Sequence, residues 1–312
     1  VKKVAAQVLE AGYDIENMHC SSDWGSLDGI VIPGIGVAMI DGTAPHVVDP
    51  LNPGAVDEIV NLGEFWDDRI LYKNKQTILD IQNDISRYFA RAYRYLAAAA
   101  CIYDDNVALY ASALNEARVN VVTAEWIDEM FDLRRPAGKI GKNRCLFASA
   151  ITPDGLKNYL DGLMTADNIY IVTGSPWAGT QRILECVKRN ALIRGYRVEA
   201  YYCAFNPAKL EHLVIPELNT AVTTVNKYHT TDACTLRKID FTEMLDDGIA
   251  AKNRSEIDYN RSVFEDMLSK AIELMHHAKV LHDELEACYI PAMDFPAVED
   301  KREKIMERIL DM

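Results

Sequence analysis

The chain has 312 residues, of which 49% are hydrophobic, and a formal net charge of −14. This length accommodates two domains of ordinary size, each with its own core. The acidic balance argues against a nucleic-acid groove or an anionic membrane surface as the main partner, because both require basic patches. No run approaches the 18 apolar residues of a membrane span and no signal peptide is visible, so we expect a cytoplasmic protein with no membrane partner.

Seven cysteines are dispersed along the chain and form no Cys-x-x-Cys pair. An odd, scattered set is typical of reduced thiols, which we expect to be mostly buried as small apolar residues.

The first element is a helical pattern over residues 1–11, which has no cap and no preceding strand. Residues 14–20 and 30–32 are predicted to be short strands, and residues 37–40 form a buried-strand pattern that ends at Asp41. An acidic residue at the carboxyl end of such a strand orients Mg²⁺ and water in NTPases. Asp41 is therefore a candidate metal ligand and catalytic residue, the alternative being a carboxylate that caps the next turn.

Two long helical regions are predicted, over residues 57–131 and 249–288, from apolar residues at 3–4 spacing. This spacing predicts an antiparallel helical hairpin or a short coiled coil in each region. The hairpins either pack together or form a dimer surface, or they act as a partner-binding arm that nucleotide moves; packing is the favoured interpretation. Residues 134–141 are basic, contain Pro and Gly, and form the natural linker.

After the linker, residues 145–149 are predicted to be a strand, followed by a turn and a helix over residues 156–164. An apolar strand pattern over residues 169–172 then stops at Gly174. A loop with two glycines follows, and a helix pattern places Ile183, Leu184, Val187 and Ala191 on one face. Strand, glycine loop and helix is the layout of a phosphate cradle, in which backbone N–H groups and the helix dipole face an anion. A plain strand-to-helix turn is the alternative.

The loop departs from the consensus G-x-x-x-x-G-K-[ST] at the residues that grip the phosphates. Thr180 stands at the lysine position, Gln181 at the hydroxyl position, and Trp177 where a small residue is usual. Arg182, one step further, is a candidate source of positive charge. The predicted nucleotide-binding residues are Gly174, Ser175, Gly179, Thr180, Gln181 and Arg182.

The chain contains an internal repeat. Residues 12–46 align with residues 195–229 without a gap, and further along the helical residues 92–110 align with residues 271–289. We interpret this self-similarity as a duplication that gives two domains. The first copy, residues 1–135, lacks its strand and phosphate loop, and the second copy, residues 142–312, has a degenerate loop.

Two positions of the repeat bear on function. Thr224 of the second copy stands at the position of Asp41, so the second copy lacks the acid as well as the lysine. His46 and His229 occupy equivalent positions in the two copies. Each fits a catalytic base, a nucleotide contact or a structural hydrogen bond, and the last is favoured.

Residues 19–33, 37–50, 146–155 and 292–295 carry a family resemblance: H-C-S-S-D-W-G-S-L-D-G-I-V-I-P, V-A-M-I-D-G-T-A-P-H-V-V-D-P, L-F-A-S-A-I-T-P-D-G and A-M-D-F. In these stretches the chain resembles a bacterial family of duplicated P-loop NTPases, described as ATPases. The resemblance implies an α/β fold of two P-loop NTPase-like domains with mostly parallel sheets, each carrying a long helical hairpin. It also implies binding of ATP or GTP with Mg²⁺, with Asp41 at the position of the acid and Gly174 and Gly179 in the second loop. Thr180, Gln181 and Thr224 depart from the family pattern.

Three functions follow as hypotheses: an ATPase that is active in the first copy once its phosphate loop is supplied, a non-enzymatic pseudo-NTPase that acts as a scaffold or senses nucleotide, and a purely structural adaptor. In each case the second copy is predicted to be catalytically inactive. The expected partners are nucleotide and, through the helical hairpins, another protein or a second copy of the chain; nucleic acid is not expected.

Overall fold

The structure, a computed structural model, describes residues 1–43, 47–132 and 134–311. Over these residues the chain is an α/β protein with mixed sheets and long helices. The helices are α1 (Lys2–Glu10), α2 (Asp68–Lys73), α3 (Lys75–Ala113), α4 (Glu116–Phe131), α5 (Leu160–Leu163), α6 (Gln181–Ile193), α7 (Asp247–Tyr289) and α8 (Phe295–Leu310). The strands are β1 (Glu16–His19), β2 (Leu27–Ile32), β3 (Val37–Ile40), β4 (Asn143–Phe147), β5 (Ser149–Thr152), β6 (Gly155–Asn158), β7 (Asn168–Thr173), β8 (Val198–Tyr202), β9 (Leu210–Ile215), β10 (Thr220–Val225) and β11 (Arg237–Asp240).

The chain divides into two compact units. The terminal unit comprises residues 1–90 and 274–312, and the central unit comprises residues 91–273. This division follows spatial contacts, whereas the predicted copies, residues 1–135 and 142–312, follow the sequence repeat. The copy boundary therefore stays a prediction.

The central unit is built on a six-stranded mixed sheet in the order β11-β7-β10-β9-β8-β4. β7 lies between two parallel neighbours, β10 and β11, and β4 is parallel to β8. β9 runs antiparallel to both of its neighbours. The carboxyl ends of the five other strands therefore share one edge with the start of β9, and we call this the carboxyl edge. Ligands of open α/β sheets bind at such an edge.

The sheet of the terminal unit corrects the prediction of mostly parallel sheets. Its three strands pair in the order β1-β2-β3, and both pairs are antiparallel. Short connections explain this pairing: antiparallel strands can be joined by a tight turn, whereas parallel strands need a long crossover. The turn between β2 and β3 spans residues 33–36 and contains Gly36 at φ +67°.

The pairing of these strands recurs in the central sheet with the same alignment that relates the two copies in sequence. Glu16 pairs with Val31 as Glu199 pairs with Val214. The remaining pairs follow the same alignment, including the irregularity after Met18, which recurs after Tyr201. β1, β2 and β3 are thus the structural counterparts of β8, β9 and β10.

The second helical region is one continuous helix of 43 residues, α7, so the hairpin predicted over residues 249–288 is wrong. Its interior contains no Pro or Gly to end it, since Gly248 lies in the first turn. The first region does break: α3 runs for 39 residues and ends before Asn115, whose side chain accepts from the N–H of Arg118 and begins α4.

Within the central unit, α3 and α7 pack antiparallel. Asn260 Nδ2 donates to Asp105 Oδ2 at 2.6 Å, and the rings of Phe264 and Tyr103 lie 6.0 Å apart. Nearer the start of α7, Asn253 donates to the carbonyl oxygen of Leu109 at 3.2 Å. The partner residue number falls as the α7 number rises, which gives the antiparallel direction. Mutual packing, the interpretation favoured from the sequence, is what these contacts show.

Each unit is completed by a helix that belongs to the other copy. α4, from the first copy, lies in the central unit and packs on α6, with the Trp126 ring 5.0 Å from the Tyr170 ring. α8, from the second copy, lies in the terminal unit, where Ile305, Met306 and Ile309 share a core with α1. When the alignment of the helical regions is continued along the chain, the first and last residues of α4 correspond to the first and last residues of α8. In terms of the two predicted copies, the last helix of each therefore lies in the unit that holds the strands of the other.

In the central unit, one sequence-based prediction about a helix is confirmed and another is partly wrong. The predicted apolar face of α6 is confirmed, since Ile183, Leu184, Val187 and Ala191 are all fully buried. The helix predicted over residues 156–164 is wrong in its first half. Gly155, at φ +94°, turns the chain into β6, which pairs with β5, and only α5 remains helical.

The seven cysteines are all unpaired, but the expectation that most are buried is wrong. Cys203 alone is buried; three are exposed and three are intermediate. Although α3 and α7 are long, none of the helices in the described part of the chain combines the length and the apolar character that crossing a membrane requires.

Candidate functional site at the carboxyl edge of the central sheet

The glycine loop, residues 174–180, connects β7 to α6 at the carboxyl edge. Gly179 has φ +93°, a left-handed conformation that favours glycine. Gly174 is needed for a different reason, because a Cβ there would lie 3.0 Å from Cβ of Phe241. Both glycines are therefore explained by the packing and geometry of the loop itself.

Gly179→Ala is expected to destabilise the protein by about 1–3 kcal/mol, because alanine at this φ is strained. Urea unfolding followed by circular dichroism measures the change. Gly162→Ala is the matched control, since Gly162 lies in α5 at an ordinary φ with open space around its Cβ position. Equal effects of the two substitutions would contradict the assignment of strain to position 179.

The loop is held against the long helices. Trp177 is 3% exposed and packs edge-on against Tyr103 and Phe264, at ring distances of 6.2 and 5.8 Å. The carbonyl oxygen of Pro176 accepts from Lys209 Nζ at 2.6 Å and from the Tyr103 hydroxyl at 3.0 Å. The bulky residue that the sequence placed in the loop is thus accommodated by side chains of α3 and α7.

The predicted nucleotide-binding residues all lie in the loop and the first turn of α6. Thr180 is buried, and Gln181 Oε1 is buried without a hydrogen-bond partner in the described structure. Thr224, one strand away on β10, is 1% exposed, and its Oγ1 also has no partner among the described residues. Arg182 is exposed and forms an ion pair with Glu116 instead. Gly174, Ser175 and Gly179 are partly exposed.

Asp41 belongs to the terminal unit and is exposed after β3. Its Oδ1 accepts a hydrogen bond from the N–H of Thr43 at 2.9 Å. That contact is the turn-capping alternative stated for this residue, while its metal role stays a prediction. His46 lies outside the described residues.

A buried polar cluster occupies the same carboxyl edge. It consists of Ser149, Lys209, Glu211, His212, Thr223 and His229. Lys209 and Glu211, at the start of β9, are 4% and 1% exposed, and Nζ lies 2.8 Å from Oε1. Ser149 begins β5, directly after β4, and His229 lies in the loop after β10. Strands from distant parts of the chain bring these six residues together.

Hydrogen bonds fix the two imidazole rings of the cluster. His212 Nδ1 lies 2.6 Å from Thr223 Oγ1 across the β9–β10 pair, and His229 Nε2 lies 3.0 Å from Ser149 Oγ. His229 Nδ1 lies 3.0 Å from Glu211 Oε2, within ion-pair distance but without hydrogen-bond geometry. The backbone of His229 is held by Asn226, whose side chain accepts from its N–H at 3.2 Å.

The charges of the cluster compensate one another. Burial alone raises the pKa of Glu211, but Lys209 and the two imidazoles outweigh it, and the net pKa is lowered. Burial opposes the charged form of Lys209, and the neighbouring Glu211 nonetheless raises the pKa of this lysine. Burial, reinforced by His229, lowers the pKa of His212 to about 3, which makes this imidazole neutral at physiological pH. A buried ion pair beside a neutral histidine is therefore the resting state of the cluster.

Ser149, His229 and Glu211 stand in the order of nucleophile, base and acid that serine hydrolases use. In such a triad the acid accepts a hydrogen bond from the histidine and so sets its tautomer. Here Nδ1 and Oε2 lie 3.0 Å apart, within ion-pair distance, but His229 is 2% exposed and Glu211 also pairs with Lys209. The burial of the histidine and the sharing of its acid with a lysine do not favour an activated serine.

Sequence reasoning singled out His229 and missed the other members of the cluster. The favoured interpretation, a structural hydrogen bond, agrees with the contact to Ser149. The available signal was K-L-E-H over residues 209–212, three polar residues where β9 begins in a run that is otherwise apolar. Polar residues in a buried strand require partners, so such a run indicates a site.

Two surface cavities, of about 420 and 500 Å³, lie elsewhere. One is lined by residues 164–167, 169 and 234–236, the other by residues 64–67, 70 and 291–294. Neither is lined by the glycine loop or the buried polar cluster.

Comparison of the chain with protein-family models, with curated proteins and with solved structures finds no match in any of the three. The resemblance to duplicated P-loop NTPases therefore rests on the sequence stretches that carry it and stays a prediction.

Proposed function

We propose that the protein is a pseudo-NTPase, a P-loop-like scaffold in which the glycine loop of the second copy serves structure rather than nucleotide hydrolysis. The observation that supports this proposal is the state of the loop. Its residues 176–178 are buried, and the Pro176 carbonyl binds Lys209 and Tyr103. A phosphate cradle needs its backbone N–H groups open to an anion.

The side chains at this loop do not fit Mg²⁺ and a triphosphate. A triphosphate needs a cation at its β- and γ-phosphates and a hydroxyl or carboxylate that holds Mg²⁺. Thr180 and Thr224 replace the lysine and the acid, and both are buried. The nearby cations are already engaged, Lys209 with Glu211 and Arg182 with Glu116. We derive no hydrolytic step at this loop.

Calorimetric titration with ATP and with GTP, each with and without Mg²⁺, tests the proposal. We expect no binding heat at nucleotide concentrations up to about 1 mM, whereas a functional site would bind with a Kd in the micromolar range. We also expect no phosphate release. Micromolar, Mg²⁺-dependent binding would contradict the pseudo-NTPase.

If nucleotide binding is observed, two variants show whether it occurs in the first copy or at the loop of the second copy. Asp41→Asn removes the candidate metal ligand of the first copy and leaves the loop of the second copy unchanged. Thr180→Lys combined with Gln181→Ser restores the consensus at the second loop. Under the proposal the double variant still binds no nucleotide, because residues 176–178 remain buried and the Pro176 carbonyl remains bonded to Lys209 and Tyr103. We further propose a cytoplasmic location, which the seven unpaired cysteines support.

A further inference from the structure

Three buried atoms of the polar cluster have no hydrogen-bond partner in the part of the chain that the structure describes. They are Glu211 Oε2, His212 Nε2 and His229 Nδ1, of which the first and the last lie 3.0 Å from each other, within ion-pair distance. All three side chains are buried, at 1%, 1% and 2% exposure. A buried polar atom without a partner costs free energy, so three together in one place require an explanation.

The three residues converge. Each offers one ligand atom, and these atoms lie within 4.8 Å of one another. The two imidazole rings are perpendicular, with an interplanar angle of 86° and a centroid distance of 5.1 Å. Two imidazole nitrogens and one carboxylate oxygen are the three protein ligands of an open, zinc-type site, with a fourth position left for water or another small ligand.

The outer atom of each of the three side chains is held by a neighbour. His212 Nδ1 contacts Thr223, His229 Nε2 contacts Ser149, and Glu211 Oε1 accepts from Lys209. Metal-binding histidines almost always engage their second nitrogen in this way, because the outer hydrogen bond fixes the tautomer and the ring orientation. The inner atoms that remain are the three without a hydrogen bond among the described residues, and two of them, Glu211 Oε2 and His229 Nδ1, face each other at 3.0 Å.

The tautomer of His212 is consistent with a metal ligand. The hydroxyl of Thr223 donates to the carbonyl oxygen of Thr224 at 3.5 Å. Thr223 Oγ1 can then accept from His212 Nδ1–H, which leaves Nε2 with a lone pair directed into the cluster. A neutral imidazole with an available lone pair is the form that binds a metal.

We propose that Glu211, His212 and His229 form a binding site for a divalent transition-metal ion, with Zn²⁺ as the best fit to two nitrogens and one oxygen. Ser149, Thr223 and Lys209 are the positioning residues that orient the three ligands. This site is separate from the Mg²⁺–nucleotide site that the glycine loop would have formed, and it does not depend on the proposed pseudo-NTPase function. Softer nitrogen ligands favour Zn²⁺ over Mg²⁺, which prefers oxygen.

The test is metal binding by the full chain after dialysis against EDTA. Titration with Co²⁺, followed by its visible absorption, and with Zn²⁺, followed by calorimetry, is expected to give one ion per chain and a rise in Tm. His212→Gln and His229→Gln are each expected to abolish that stoichiometric binding. Thr223→Val keeps all three ligands and is expected to weaken metal binding by about 10–100-fold. This variant therefore tests the proposal even if a ligand variant fails to fold.

A second group of candidate ligands supplies the control. His282, Asp283 and Glu286 lie exposed on α7, where a weak surface site would form. His282→Ala is expected to leave the stoichiometric binding unchanged. Absence of binding by the folded wild-type chain would overturn the proposal, as would binding that His282→Ala removes and His212→Gln leaves intact. Covalent labelling of Ser149 by a fluorophosphonate in the metal-free protein would also overturn it, in favour of a hydrolase triad.

Discussion

Cutting the chain in the linker at residues 134–141 is expected to leave two fragments that remain bound to each other. Each unit needs a helix from the other fragment: α4 completes the central unit and α8 completes the terminal unit. α4 alone buries Val119, Trp126, Met130 and Phe131. At about 1.5–3 kcal/mol for each large apolar side chain, their loss amounts to roughly 6–12 kcal/mol, comparable with the whole stability of a domain.

A protease site inserted after Gly138, which is exposed, allows the cut to be made in the folded protein. Size-exclusion chromatography of the cut protein is expected to give one peak at the mass of the intact chain. Residues 1–138 and 139–312 produced separately are expected to be unfolded or aggregated and to recover a folded complex when refolded together. Trp126→Ala provides the matched comparison, because it removes about 3–5 kcal/mol of packing and lowers the denaturant concentration at which the fragments separate. Two folded, independent fragments would show that this placement of the two helices is wrong.

Lys209→Met is the point substitution with the largest expected effect on stability. It leaves the Glu211 carboxylate buried without its cation and removes a donor from the Pro176 carbonyl. Removing one partner of a buried ion pair costs about 3–5 kcal/mol, because the remaining charge is desolvated and uncompensated. Urea unfolding in the presence of EDTA measures this cost without any contribution from bound metal.

Two comparisons isolate the buried charge. Lys209→Met combined with Glu211→Gln is expected to recover part of the loss, since no charge is then left alone. Arg261→Gln breaks the pair with Asp258 on α7, whose side chains are about half exposed, and is expected to cost no more than about 1 kcal/mol. A Lys209→Met protein as stable as the Arg261→Gln protein would refute the role assigned to the buried pair.

The family resemblance implied more about function than the geometry of the loop supports. Gly174 and Gly179 recur at cradle spacing, and the loop does follow a strand with parallel neighbours. In the same loop, however, the Trp177 side chain is buried and the Pro176 carbonyl oxygen accepts a hydrogen bond from Lys209. Both glycines are explained by local packing and φ. The spacing of the glycines therefore indicates the conformation of the loop backbone and does not indicate whether a ligand binds to the loop.

The local and repeated features of this protein could be predicted from its amino-acid sequence. The apolar face of α6, the strand predicted over residues 169–172 within β7, and the match of residues 12–46 to residues 195–229 could all be predicted, because periodicity and self-similarity are visible along the chain without knowing the fold. The continuous α7 was misread as a hairpin, since a 3–4 spacing alone does not distinguish one long helix from two shorter ones.

Which helix completes which unit, and which polar residues meet, depends on long-range packing in three dimensions. α4 and α8 each have an ordinary apolar face, and the sequence of such a face does not specify the surface against which it packs. Glu211 and His229 are well separated in the chain, and Ser149 lies far from both; they become neighbours because β4, β9 and β10 belong to one sheet and open at the same edge. A site made by strand order depends on long-range pairing, and that pairing is set by the packing of the whole domain rather than by any single segment.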